Sequence, residues 1–90
     1  LKLYVIGDTL RSRRAQEQLR RHMEHCFEGE YEINVIDIAH DPEIAEQDRI
    51  LVVPTVIKVK PSPQQRIIGS LADEQRVLRA LELTRVVDGG

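Results

Sequence analysis

Ninety residues, 41% hydrophobic and 31% charged, suffice for one small core and leave no room for a second. A formal net charge of -2 and only 3% aromatics argue against a dedicated nucleic-acid binder or a base-stacking platform. Cys26 is the single cysteine, no apolar run reaches membrane-span length, and the chain opens on strand-like LKLYVIG, so an internal disulfide is excluded and a cytoplasmic domain in a reducing compartment is expected.

LKLYVI is rich in β-formers and predicts a first strand, which Gly7-Asp8-Thr9 breaks while supplying polar side chains able to cap a helix. The first helix is expected over residues 12–28. Ala15, Leu19, Met23 and Cys26 recur on one face, Arg11, Arg14, Gln18 and Arg21 line the other, and Gly29 stops it. YEINVIDIA is apolar on both faces between Ile33 and Ile38, the pattern of a central strand with a parallel neighbour. Asp41 as N-cap, Pro42 at the first position and Glu43 near the positive end of the dipole open a short second helix that ends before Arg49.

ILVVPTVIKVK then sets Pro54 between two apolar runs, where a residue without a backbone donor belongs at the start of a strand. In one common βαβ-type architecture such a proline is cis and sits beside the mouth of the first helix, the usual place for thiol chemistry. TVIKVK alternates, so the third strand buries one face and turns Lys58 and Lys60 to solvent. Residues 61–65 make a turn, and Arg66-Ile67-Ile68-Gly69 returns as an antiparallel hairpin partner. A last helix from residue 72 or 73 to about 83 buries Val77, Leu78 and Leu81. One domain is expected over residues 1–84, with a flexible tail at 85–90.

The order β-α-β-α-β-β-α, with a right-handed crossover in its first βαβ unit, gives an α/β thioredoxin-like sandwich. An oxidoreductase on this scaffold needs a cysteine at the mouth of the first helix, where dipole and free amides lower its pKa. Gly-Asp-Thr-Leu-Arg-Ser stands there instead, and Cys26 lies at the far end on the apolar face, as a small buried hydrophobe. No catalytic, cofactor-binding or metal-ligating residue is expected. His22 and Cys26 are four apart but lack a third ligand, and Glu17, Glu24 and Glu28 interleave with Arg11, Arg13, Arg14, Arg20 and Arg21 as a solvated, ion-paired face. Thr9, Ser12, Pro54 and Thr55 would line the groove of a glutathione-binding enzyme, the reading from a different functional class.

LKLYV, the loop with Gly7 and Thr9, YEINVIDI, DPEIAEQDRIL, the VPT turn, the proline turn after Lys60, RIIG and EQRVLRALEL together resemble the circadian clock protein KaiB family along nearly the whole chain. The pattern VIDI...P..AE.D.IL...PT is specific to it. Related sequences form the sensory N-terminal domain of the clock histidine kinase SasA, and RIIG places this chain nearer KaiB. The resemblance implies a non-enzymatic protein that docks on the hexameric ATPase KaiC, with KaiA-like or histidine-kinase clock proteins as further partners and no nucleic acid or membrane. It assigns partner binding to Arg49, Arg66, Ala80, Glu82 and Arg14, and a structural cis-proline to Pro54.

The family also switches folds between a tetramer with a rearranged C-terminal half and a thioredoxin-like monomer that binds KaiC. Ala80 and Glu82 stand where clock KaiB typically has Gly and Asp, and both favour a helix interior, Gly costing about 1 kcal/mol against Ala. Pro61-Ser62-Pro63 replaces a run of three prolines, Gln65 one of two basic residues, and Arg85 lies where a tyrosine is usual. The thioredoxin-like monomer is therefore expected, with the tetramer fold as the alternative.

Overall fold

A computed structural model of the chain describes residues 1–26, 31–60 and 64–81. β1 (Lys2–Val5), α1 (Leu10–Cys26), β2 (Asn34–Asp37), α2 (Pro42–Gln47), β3 (Thr55–Lys58), β4 (Gln65–Ile68) and α3 (Glu74–Ala80) follow one another in the expected order. The four strands form one sheet in the order β2-β1-β3-β4, parallel between β1 and β2 and antiparallel elsewhere. This is the thioredoxin-like arrangement, with residues 65–68 in a strand and residues 74–80 helical.

Side chains alternate across β1, and each parity finds its own cover. Leu3 and Val5 join Val56 and Ile67 beneath Ala15, Leu19 and Met23 of α1 and Val77 and Leu81 at α3. Tyr4 and Ile57 point the other way, against Ile44 and Ala45 of α2 and against Ile50. Helices thus cover both faces of the two inner strands. Gly7 makes the exit from β1 with φ +66, a left-handed conformation that glycine adopts without a Cβ penalty. Thr9 caps α1, its Oγ1 accepting from the Ser12 amide at 3.1 Å, so the helix begins before the predicted residue 12.

Several expectations are corrected. β2 is an edge strand and not a central one, with Val35 41% exposed. Its apolar run records partial cover on two faces, which an edge strand also has when α2 packs over Ile36 and Ile38. Lys58 does not point to solvent. It shares its face of β3 with Val56, on the side of α1 and α3, and is 2% exposed, while Lys60 is exposed as expected. The long methylene stem lets such a residue pack apolar surface.

Asp41 occupies the N-cap position of α2 without a side-chain cap bond, and the Ile44 amide instead donates to its backbone carbonyl at 3.2 Å. On α1, Arg13 pairs with Asp8 at 3.0 Å, whereas among the described residues Glu17 and Glu24 form no ion pair with the arginines. Glu28, Gly29, the 61–63 turn, Glu82 and the 85–90 tail lie outside the described residues, as does the side chain of Cys26.

Asp37 closes the top of the parallel pair, its Oδ1 accepting from the amides of Gly7 and Ala39 at 2.9 Å each. Those two donors hold its carboxyl below the ordinary carboxylate range. A depressed pKa contributes stability above the unfolded value and loses it as pH falls through the folded one. The stability difference between wild type and Asp37→Asn is therefore expected to be full near neutrality and to shrink below about pH 4, in denaturant titrations across pH.

Candidate docking site

The end of α2 turns on a left-handed residue. Arg49 has φ 55, the Ile50 amide donates to the Ala45 carbonyl at 2.8 Å, and the Arg49 amide donates to the Glu46 carbonyl at 3.2 Å. These are the two bonds of a Schellman motif, with Asp48 as C-cap and Arg49 at the position glycine usually fills. Its apolar contact is present too, since Ile50 and Ala45 meet in the core beneath α2. A non-glycine residue in this conformation costs about 1 kcal/mol, so the surroundings must hold the turn.

Two side chains from the sheet do so. The Arg66 guanidinium forks over the turn, Nη1 donating to the Arg49 carbonyl at 3.0 Å and Nη2 to the Asp48 carbonyl at 2.8 Å. The Tyr4 hydroxyl donates to Oδ2 of Asp48. Burial, and then this bond to the carboxylate, push the Tyr4 phenol well above its usual range, so the hydroxyl remains a donor. With its carbonyl held by Arg66, the Arg49 side chain remains exposed and forms no ion pair among the described residues.

The chain then climbs out of the core through Leu51 and Val52, 93% and 50% exposed, before Thr55 fastens it by donating from Oγ1 to the Val52 carbonyl. The Val53-Pro54 peptide is cis. Val53 and Pro54 line a cavity of about 260 Å³ together with Val5, Ile6, Thr9 and Ser12 at the mouth of α1. Its walls are mainly apolar, and Thr9 and Ser12 are bonded to each other at 3.1 Å.

Residues 2–83 match the KaiB domain family. The chain belongs to the KaiB family. It is 49% identical over 83 residues to the circadian clock oscillator protein KaiB of a strain of Prochlorococcus marinus, covering 92% of this chain and 70% of that protein. The protein of the same name from Nostoc punctiforme is 48% identical over 83 residues, covering 92% and 80%. The solution structure of the N-terminal domain of Synechococcus elongatus SasA superposes with a TM-score of 0.74, covering 96% of this chain and 85% of that one. At 19% identity that likeness is one of fold.

Of the residues singled out in the sequence, the structure brings Arg49 and Arg66 together on the α2 side of the sheet. Arg14 is exposed on α1 and Ala80 ends α3, both across the sheet from that pair, and Ala80 packs against the core. Glu82 lies outside the described residues. Tyr4 and Asp48 escaped the sequence reading. Their signal was a phenol between Leu3 and Val5, whose hydroxyl needs a partner once buried.

Arg49→Gly removes the Cβ from a left-handed position and is expected to match wild-type stability or exceed it by up to about 1 kcal/mol in chemical denaturation. Arg66→Lys keeps the charge but not the fork and is expected to lose about 1 kcal/mol.

Proposed function

We propose that this chain acts as a KaiB-type clock protein, a non-enzymatic binding module that docks on a KaiC-type hexameric ATPase through the Arg49 turn. The observation that carries this reading is Arg49 itself: an exposed cation, on a turn held by Arg66 and Tyr4, beside exposed Leu51 and Val52. A fixed charge next to apolar surface is what a hot spot with a polar rim requires. Membership of the KaiB family and the clock role named for its relatives support the choice of partner. The competent form is the thioredoxin-like monomer, and Arg66 serves mainly to hold the turn, its donors being engaged within the chain. Arg14 and Ala80 belong to a second contact area, across the sheet from this one, for a KaiA-like or histidine-kinase partner, and Glu82 is assigned to that partner from its place in the sequence beside Ala80.

The second reading, a thiol or glutathione-binding enzyme, is favoured by the cavity between the mouth of α1 and Pro54. It lacks a nucleophile there, since Thr9 is the helix cap and the Ser12 hydroxyl donates to the Ile6 carbonyl at 3.0 Å.

Binding to an immobilised KaiC-type ATPase tests the first reading. Arg49→Glu is expected to weaken it about fivefold or more, the equivalent of about 1 kcal/mol, and Arg49→Gly to do the same without loss of fold. Wild-type affinity in a folded Arg49→Glu protein would place the docking surface elsewhere. Disulfide reduction by the wild type that disappears in Cys26→Ser would establish the second reading instead.

A further inference from the structure

β4 lies at one edge of the sheet, with β3 on its inner side. Bonded and non-bonded pairs alternate along an antiparallel ladder. The Gly69 amide donates to the Pro54 carbonyl at 2.9 Å, and these two residues stand one step beyond the pair of Thr55 with Ile68. The bonded pairs within the ladder are therefore Val56 with Ile67 and Lys58 with Gln65. Arg66 and Ile68 fall between them, so their amides and carbonyls point away from β3, along the open edge.

Such a row of donors and acceptors is a template for another strand. Two copies of β4 meeting antiparallel about a twofold axis through Ile67 would use all of it. Arg66 would then face the partner's Ile68, and each of the two equivalent pairs would exchange two backbone hydrogen bonds. No arginine stands directly opposite an arginine in this register, and Ile68, 49% exposed, gains cover from the stem of the partner's Arg66.

A side chain from α3 occupies this row. Arg76 donates from Nη2 to the Ile68 carbonyl at 3.0 Å and from Nη1 to the Ser70 carbonyl at 2.8 Å. Gly69, at φ +95, makes the turn that presents both carbonyls to one planar fork. The helix start fixes the position of the arginine, since its amide donates to Asp73 at the cap and the next residue, Val77, is buried in the core. The Ile68 carbonyl is the acceptor that the partner's Arg66 amide would need, once in each pair. A guanidinium there takes the acceptor, and two copies would bring two such cations to one seam.

We propose that Arg76 is an edge guard: by holding the Ile68 carbonyl it keeps β4 from pairing with β4 of a second copy of this chain. The guard rests on the docking reading only for its purpose, a monomer free to bind, and its test needs no KaiC-type partner.

Arg76→Met keeps a long, helix-favouring stem and removes both donors. Sedimentation equilibrium of the full chain over about 0.05 to 1 mM, a range that registers weak pairing through a small interface, is expected to show one copy for the wild type and an average mass climbing toward two for Arg76→Met. At the upper end the Arg66 and Ile68 amides of Arg76→Met, referred to those of β1, should exchange about threefold more slowly than in the wild type, the ratio for a population two-thirds paired. Arg79→Met removes an exposed cation of the same helix that holds neither carbonyl, and should behave as wild type. If Arg76→Met loosens α3, seen as lost protection at Val77, Arg76→Lys takes its place, keeping the cation without the fork, and should pair to a smaller extent. A folded Arg76→Met that stays a single copy, equal pairing in Arg79→Met, association that leaves the Arg66 and Ile68 amides open, or protection of those amides in the wild type would each overturn the proposal. A wild type that assembles with those amides open would count against the monomer and leave the guard standing.

Discussion

Everything described here hangs on a first strand of four residues that is buried on both faces. β1 pairs parallel with β2 on one side and antiparallel with β3 on the other, so its backbone groups are used in both directions. Leu3 and Val5 enter the core under α1 and α3, and Tyr4 enters the core under α2. Tyr4 is the polar member of that set. A buried phenol whose hydroxyl found no partner would cost about 1 to 3 kcal/mol, and its bond to Asp48 turns that liability into a tie between the sheet and the end of α2.

The Arg49 turn inherits its geometry from that tie. Asp48 is held from below by Tyr4, and its carbonyl and that of Arg49 are held from the side by Arg66 on β4. A helix of six residues would not fix a left-handed arginine by itself; three elements of the sheet and its loops do so together. The local cost at Arg49 is what an unstrained glycine would remove, and a glycine would also remove the cation. Under the proposed docking role, stability and recognition ask for different residues at this one position.

α3 is the loosely attached element by comparison. It rests on α1 through Val77 and Leu81 and is tethered to β4 through Arg76, whose donors satisfy the Ile68 and Ser70 carbonyls. Adding or removing one interaction there changes a larger share of the local stability than the same change in β1 would. Ala80 acts in the same region, closing the helix with a residue that favours it, where a glycine would cost about 1 kcal/mol.

The order of elements, the sheet-forming runs and the apolar faces of α1 and α3 were legible in the sequence because each rests on local periodicity: Ala15, Leu19 and Met23 repeat along a helix and Leu3, Tyr4 and Val5 alternate along a strand. The family resemblance and the interest of Arg49 were legible too, from motif and loop position. Three things were decided by the tertiary structure alone. Val35 is exposed because β3, and not a further strand beyond β2, takes the other side of β1, and strand order is not written in any one strand. Lys58 is buried because helices cover both faces of β3, so its alternation of apolar and basic residues did not mark a solvent face. Arg66, Tyr4 and Asp48 meet at the Arg49 turn, and His22 meets Glu74, across separations of 17 to 52 residues that no sequence spacing encodes. Local pattern fixes what each segment becomes; which polar groups end up facing one another depends on how the sheet closes.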